Sequence, residues 1–253
     1  MVGTSGAVVP ADIPGIHPLR LVAVTHGAPS AENREAVIRL VDAVASERPE
    51  LDVSISFVDA ANRDVAASLA AAAEPDAVIV PLVLSAGFHV RTGLSLGLDR
   101  LGGGAQLADE LGPDDRIVAV LARRLRDLGL DEEDTVVLAA AGSNDPRAVR
   151  ECFETARRLG QRLGRPVTVG FIAAAIPRLP DAIEMIREVH PGTRVVIGAY
   201  LLAPGTFYDA AAGAGGDLIA EPLLLPDHPA PHELVELVLE RYAAGDANDW
   251  EPA

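Results

Sequence analysis

The chain contains two copies of one strand pattern, and this internal repeat limits what it can fold into. Residues 21–27 align with 136–142, residues 53–59 with 167–173, and residues 82–89 with 200–207. A length of 253 residues leaves roughly 110 to 120 residues for each copy, which lies within the usual size of a domain. The repeat therefore predicts two related domains in tandem.

Apolar runs and amphipathic segments alternate along both copies. In the first copy, strands are predicted over residues 20–25, 53–58, 77–84 and 116–120, and helices over 31–47, 63–73 and a short segment ending at Leu128. In the second copy, strands are predicted over 135–140, 167–172, 194–202 and 217–220, and helices over 146–163, 179–189 and 233–242. Short apolar strands separated by helices are typical of buried parallel sheets. The predicted fold class is α/β, with two tandem domains that each contain a parallel sheet of about four strands flanked by helices.

A polar segment, residues 130–134, separates the two copies and sets the predicted domain boundaries. The N-terminal domain is expected over residues 18–130 and the C-terminal domain over 131–245, with a disordered leader over 1–17 and a tail over 246–253. Residues 93–113 contain the run Leu101-Gly102-Gly103-Gly104, which favours an irregular segment. We expect this segment to be either a mobile flap or an ordinary surface loop.

Two histidines follow apolar strands of the first copy. His26 comes at the end of the first predicted strand, and His89 comes shortly after the third. Because the carboxyl ends of parallel strands meet at one edge of a sheet, the two imidazoles are expected at one cleft, together with Asp59. At the aligned positions the second copy has Ala141, Phe207 and Ala173. The scaffold repeats while these side chains do not, which indicates a metal site in the first copy alone.

The charge and composition of the chain exclude several classes of function. The formal net charge of −16 would repel a phosphate backbone, so no nucleic-acid partner is expected. All 21 basic residues are arginine, which excludes P-loop and Schiff-base lysines. A single cysteine, Cys152, and the lack of a long apolar run are typical of a reduced cytoplasmic protein with no membrane segment.

The motifs around the two histidines resemble those of the sirohydrochlorin chelatases of the CbiX/SirB type, the class II chelatases, in their long two-domain form. Thr25-His26-Gly27-Ala28 is similar to the first motif of this family, and Pro81-Leu82 followed by Gly87-Phe88-His89-Val90 is similar to the second. Asp59 stands where the family carries an acidic residue after its second strand. The resemblance extends from about residue 18 to residue 242. The chain departs from the family at Ala28-Pro29 and at Thr92-Gly93-Leu94.

The resemblance implies that the protein inserts a divalent metal ion, Co²⁺ or Fe²⁺, into sirohydrochlorin, in cobalamin or siroheme biosynthesis. It implies that His26 and His89 bind the metal and act in catalysis, and that Asp59 completes the metal site or orients an imidazole. The metal is then a substrate, and no organic cofactor is expected. Both chelatase-like domains lie in one chain, so a monomer is expected, with the C-terminal domain a degenerate repeat.

Four further residues are expected to contact the tetrapyrrole. Gly87 and Phe88 belong to the second motif and come directly before His89. Arg91 and Arg63 lie close in the chain to His89 and Asp59, and the guanidinium is the only basic side chain here that pairs strongly with carboxylates. Because the ring carries many carboxylates while the protein is acidic, such local arginines are needed to overcome long-range repulsion.

Other functions remain open at this stage. The same histidines fit a non-catalytic carrier of a metal or tetrapyrrole, which would bind without releasing metal into a ring. A phosphate site at the junction of the first strand and helix is disfavoured, because no glycine-rich phosphate motif follows the strand. A hydrolase using Ser85 or Ser30 is disfavoured as well, because the chain lacks the Gly-x-Ser-x-Gly elbow.

Overall fold

Two parallel four-stranded sheets form the framework of the protein in a computed structural model that describes residues 20–26, 30–58, 77–85, 92–96, 99 and 105–246. The first sheet contains β1 (Arg20–His26), β2 (Val53–Val58), β3 (Ala77–Pro81) and β4 (Gln106–Leu107). The second contains β5 (Thr135–Ala140), β6 (Val167–Phe171), β7 (Val195–Tyr200) and β8 (Leu218–Ile219). This arrangement confirms the predicted fold class.

The two sheets share one strand order and one register. The orders β2-β1-β3-β4 and β6-β5-β7-β8 correspond strand by strand. Leu21 pairs with Val53 in the first sheet, and the aligned residue Val136 pairs with Val167 in the second. The same agreement holds where β1 meets β3 and where β5 meets β7. The sequence repeat therefore reflects one βαβ-type unit that is built twice.

Side-chain caps fix where the long helices begin. The structure includes the helices α1 (Ala31–Glu47), α2 (Asp115–Asp127), α3 (Pro146–Leu163), α4 (Leu179–Val189), α5 (Thr206–Ala212) and α6 (His232–Asp246). The Ser30 hydroxyl accepts a hydrogen bond from the backbone N–H of Asn33 (3.2 Å) at the start of α1. The Asp145 carboxylate accepts one from the backbone N–H of Arg147 (2.8 Å) at the start of α3. Such caps satisfy N–H groups that a helix leaves free, and both helices span the predicted residues.

Two helices pack against the sheet of the other half. Helix α2 follows β4 in the chain but packs on α3 and β7, where Leu125 lies against Gly198. The last helix, α6, packs against α1 and β3. Gly245 lies at this contact, where a side chain would overlap Val78. Each fully buried leucine such as Leu125 contributes about 1.5–3 kcal/mol to stability. Because each of these helices packs on the sheet of the other half, the two halves are held together. The domain boundary near residue 130 stays a prediction.

The strand predicted over residues 116–120 is wrong, because this segment lies in α2. Asp114 caps that helix through a side-chain hydrogen bond to its first turn. Ile117, Leu121 and Leu125 are buried and recur every four residues, which makes one apolar face of a helix. The β-branched residues in this segment, which suggest a strand, therefore lie on a helix and pack into the core.

Several other boundaries differ from the prediction. Residues 93–113, predicted to be irregular, include β4, and Leu94 and Leu111 within them are buried. The strand predicted over residues 77–84 ends at Pro81, and the sequence pattern does not predict α5. The helix predicted over residues 63–73 lies outside the described residues. Across the described ranges, no helix is both long and apolar enough to cross a membrane.

Candidate active site

A cleft opens between the carboxyl ends of the two sheets. Its volume of about 690 Å³ is within the range of small-molecule sites. On the side of the first half, the described lining residues are Thr25, Ser30, Asn33, Val37 and residues 82–85. On the side of the second half they are residues 140–143, Cys152 and residues 200–208. The cleft therefore lies where open parallel sheets bind their ligands.

The backbone of β1 brings His26 to this cleft. Thr25, the residue before it, lines the cleft and is 8% exposed. His26 is the last residue of β1, and it pairs in register with Val58, the last residue of β2. Asp59 follows Val58 directly in the chain. The start of the segment that carries Asp59 and the backbone of His26 are therefore neighbours, while the His26 side chain lies outside the described part of the structure.

The remaining predicted site residues lie outside the described residues. They are Asp59, Arg63, Gly87, Phe88, His89 and Arg91. The chain runs toward the last four through Leu84 and Ser85, which line the cleft. Within the part of the chain that is described, no group of three His, Cys, Asp or Glu side chains could hold a metal ion. The metal and substrate ligands therefore stay predictions.

The corresponding edge of the second sheet is closed by backbone contacts. Ala141 follows β5 at the position aligned with His26, and Ala173 occupies the position aligned with Asp59. The backbone N–H of Ala173 donates a hydrogen bond to the carbonyl of Ala141 (2.8 Å). Gly142 has a φ of +90°, and a Cβ there would overlap the carbonyl oxygen of Ala173. Only glycine fits this conformation and this approach, so a larger side chain has no room at this edge.

A buried tyrosine joins the two halves through a hydrogen bond beside the cleft. Tyr200, at the end of β7, is 3% exposed, and its hydroxyl donates a hydrogen bond to the carbonyl oxygen of Leu84 (3.0 Å). Burial raises the pKa of the Tyr200 phenol well above its ordinary value, so the group remains a donor at neutral pH. Gly112 packs against the same contact, because a Cβ there would lie 2.5 Å from the carbonyl oxygen of Leu84.

A second hydrogen bond joins the loops on the two sides of the cleft. The side-chain amide of Asn33 donates to the carbonyl oxygen of Pro204 (2.8 Å). Asn33 lies in the first turn of α1, the helix that follows the His26 segment, and Pro204 lies just before α5. The width of the cleft is therefore set by specific bonds between its two rims as well as by packing of the core.

Cys152 lines the cleft but is not available as a thiolate. The residue is 3% exposed and belongs to the hydrophobic core. Burial raises the pKa of the thiol to about 11, although an interaction with the Ser85 hydroxyl opposes this shift. Because the thiolate is the form that binds metal ions and attacks electrophiles, the neutral Cys152 acts as a packing residue.

The described walls of the cleft carry no charged side chain. Their polar side chains are the Asn33 amide, the Cys152 thiol and the hydroxyl groups of Thr25, Ser30, Ser85, Ser143, Thr206, Tyr200 and Tyr208. Partial burial raises the pKa of Tyr208, and the nearby carboxylates of Glu221 and Asp209 act in the same direction. The described cleft walls therefore do not contribute to the net charge of −16, which limits short-range repulsion of an acidic ligand.

Sequence reasoning missed the residues that join the two halves. Tyr200 aligns with Leu82 in the repeat, and a hydroxyl at an otherwise apolar strand end was the available signal. Asn33 offers no such signal, because its partner lies 171 residues away in the chain. The cleft wall formed by Phe207 and Tyr208 depends on α5, which the hydrophobic pattern does not predict.

Solved chelatases have a similar fold. SirB from Bacillus subtilis with Fe³⁺ matches with a TM-score of 0.64 and 19% sequence identity, over 91% of this chain and 97% of that chain. SirB from Bacillus subtilis subspecies spizizenii in complex with cobalt matches with a TM-score of 0.58 and 15% identity, over 91% and 97% of the two chains. A multidomain protein from Deinococcus radiodurans with structural similarity to chelatases matches with a TM-score of 0.58 and 20% identity, over 92% of this chain and 56% of that one. The fold is therefore that of the SirB chelatases.

The sequence places the chain in a family. The CbiX family model matches residues 20–128 and 135–211, which include the strands of the first sheet and most of those of the second. The protein belongs to the CbiX family. No curated protein matches the chain. The resemblance drawn from the histidine motifs is thereby confirmed at the level of family and fold.

Proposed function

We propose that this protein is a chelatase that inserts Co²⁺ or Fe²⁺ into sirohydrochlorin. Membership of the CbiX family and the SirB fold support the reaction class. The observation that carries the proposal is the position of His26 at the carboxyl end of β1, next to Thr25 on the cleft. The metal selects the pathway: cobalt would serve cobalamin biosynthesis and iron would serve siroheme biosynthesis.

The proposed metal ligands are His26 and His89, with Asp59 completing the site or orienting an imidazole. A chelatase must hold a divalent ion and then release it to the four ring nitrogens. Imidazole suits Co²⁺ and Fe²⁺, and two or three protein ligands leave positions open for the incoming ring. Cys152 lines the cleft but remains a neutral thiol, so it would not retain the metal in competition with the ring.

Metal insertion also requires the removal of two protons from pyrrole N–H groups. An imidazole with an ordinary pKa near 6.5 accepts a proton at neutral pH. We assign one of these protons to His26 or His89 once the metal has moved to the ring, and the second to the other histidine or to Asp59. The described cleft walls offer no carboxylate for this step, which leaves the histidines and Asp59 as its proposed acceptors.

The proposed substrate contacts come from the segment around His89 and from the one after Asp59. Gly87 and Phe88 would lie beside the ring, and Arg91 and Arg63 would pair with its carboxylates. The uncharged cleft walls support this assignment, because an acidic ligand meets no opposing carboxylate on the part of the wall that is described. The second half supplies the far wall of the cleft.

The direct test is an absorbance time course of sirohydrochlorin with Co²⁺ or Fe²⁺, with and without the protein. We expect the wild type to accelerate metal insertion and both His26→Ala and His89→Ala to abolish the acceleration. His228→Ala is the matched control, because His228 is exposed and lies away from the described lining of the cleft. The metal that is inserted faster would identify the pathway.

The outcomes separate two functions. Acceleration that depends on His26 and His89 but not on His228 supports the chelatase. Binding of the metal or the ring in a one-to-one ratio without turnover contradicts the enzyme and leaves a carrier. Acceleration that survives the loss of both histidines contradicts the assigned site.

A further inference from the structure

An exposed aromatic ring lies on the wall that the second half contributes to the cleft. Phe207, the second residue of α5, lines the cavity and is still 46% exposed. We propose that Phe207 is a substrate-binding residue whose ring packs against the face of the tetrapyrrole. This inference rests on the proposed function and adds the residue that holds the plane of the substrate.

The composition of the chain makes this exposure informative. Aromatic residues form only 4% of the sequence, with five Phe among 253 residues. Phe171 is fully buried, and Phe57 has the guanidinium of Arg34 4.2 Å from its ring centroid. Phe153 is as exposed as Phe207 but lies outside the described lining of the cleft. Of the described phenylalanines, Phe207 alone lines the cavity.

The backbone before Phe207 is held in place from the first half. The Asn33 amide donates to the carbonyl oxygen of Pro204 (2.8 Å), three residues before Phe207. The next residue, Gly205, has a φ of 151°, and a Cβ added there would lie 3.8 Å from the nitrogen of the same amide. A ring on a fixed backbone loses little freedom when a ligand binds, which favours its use as a contact.

The repeat gives Phe207 a defined relation to the proposed metal site. Phe207 aligns with His89, and both follow the third strand of their sheet. Phe207 lines the cleft from the second half, and the proposed function assigns the His89 imidazole to the metal on the side of the first half. A flat ligand bound between the two walls would therefore receive the metal on one face and pack against Phe207 on the other.

The chemistry of the ligand fits such a contact. A tetrapyrrole carries its carboxylates on the periphery, while its faces are flat and unsaturated. Aromatic side chains pack on faces of this kind in offset or edge-to-face geometry, and the contact depends little on charge. An uncharged wall of hydroxyls around Phe207 leaves the carboxylates free to reach solvent or the proposed arginines.

The test compares Phe207→Ala with Phe153→Ala, a control of equal exposure on α3. Metal-free sirohydrochlorin is titrated into each variant, and its Kd is read from the absorbance change, with kcat and KM measured in parallel. We expect Phe207→Ala to raise Kd and KM about tenfold, which corresponds to about 1.4 kcal/mol. Phe207→Tyr should keep the wild-type Kd, and Phe153→Ala should change it less than twofold.

Each outcome bears on a different claim. An unchanged Kd in Phe207→Ala, in a variant that unfolds with a normal urea transition, overturns the inference while the chelatase reaction stands. Weakened ring binding in Phe207→Ala without metal insertion by the wild type supports the inference and overturns the proposed reaction. A wild-type chain that binds no sirohydrochlorin overturns both.

Discussion

The hydroxyl of Tyr200 donates a hydrogen bond to the carbonyl oxygen of Leu84 (3.0 Å), and this bond joins the ends of β7 and of the segment that follows β3. Leu84 is the point from which the chain continues toward His89. The second half, which lacks the candidate ligands, thus supports the segment after β3 that leads to one of them. This contribution depends on the shape of the second half and does not require ligands in it.

Tyr200→Phe should reduce the free energy of unfolding by about 1 kcal/mol, because the buried carbonyl of Leu84 loses its donor. The substitution keeps the ring and therefore the packing of the core. Urea denaturation monitored by circular dichroism measures the effect. Tyr208→Phe is the control, since Tyr208 is only half-buried, and its effect should be much smaller. Equal losses in the two variants would contradict a special role for the Tyr200 bond.

Gly112→Ala should destabilise the protein by about 1–3 kcal/mol, because a new methyl group would overlap the Tyr200 hydroxyl and the Leu84 carbonyl. Both substitutions disturb one contact, so their effects should not add. The double variant Gly112→Ala with Tyr200→Phe should lose less stability than the sum of the single losses. Additive losses in the same urea experiment would show that Gly112 and Tyr200 act separately.

Asp134 should stabilise the fold in a pH-dependent way. Arg194 donates hydrogen bonds of 2.8 and 2.7 Å to the two carboxylate oxygens, and this pairing lowers the pKa of the buried Asp134 below its ordinary value. A lowered folded-state pKa stabilises the protein above the unfolded pKa of about 3.9 and loses its effect as pH falls through the folded pKa. Asp134→Asn should therefore cost about 1–3 kcal/mol at pH 7 and progressively less as the pH falls below about 3.9.

Asp52→Asn is the control for this experiment, because Asp52 forms an exposed ion pair with Arg20. Exposed pairs contribute less than about 1 kcal/mol, so this variant should behave almost like the wild type over this pH range. A loss in Asp134→Asn that stays constant from pH 7 to about pH 3 would contradict the assigned cause.

Cys152 should resist thiol reagents in the folded protein. Its pKa of about 11 leaves very little thiolate at pH 8, and its 3% exposure blocks access. Reaction with a disulfide reagent at pH 8 should be at least about a hundredfold slower in buffer than in denaturant. Release of chromophore at similar rates in both conditions would show that the thiol is open to the cleft.

Local signals in the sequence were sufficient for most of the regular elements. Helix α1 and helix α3 have apolar faces of helical period, and Ser30 and Asp145 mark their first residues as caps. The repeat added long-range information, because aligned strands had to take aligned places in the two sheets. Both sources are independent of tertiary contacts, which explains why they are reliable here.

The incorrect secondary-structure prediction lies where two local preferences compete. The run that begins at Arg116 contains Ile117, Val118 and Val120, which favour a strand by residue type. Its apolar residues also recur at helical period, and the Asp114 cap together with burial against the second sheet selects the helix. Packing of a helix from one half on the sheet of the other half has no local signal at all.

The backbone position of His26 was predictable from the sequence, whereas the walls of the cleft were not. The strand pattern of the first copy places His26 at a sheet edge, and β1 ends there. The opposite wall depends on α5 and on the bond from Asn33 to Pro204, which join residues far apart in the chain. Such contacts follow from how the two halves pack, and one copy of the repeat gives no information about that.

The central claim is that His26 delivers a metal ion to a tetrapyrrole bound in this cleft. The most direct measurement is the initial rate of Co²⁺ insertion into sirohydrochlorin by His26→Ala at saturating ring, with ring Kd measured on the same sample. We predict a rate equal to that without enzyme, together with a Kd within about twofold of the wild type. A wild-type rate in the variant would contradict the claim, and loss of ring binding with the rate would show that His26 supports the cleft instead.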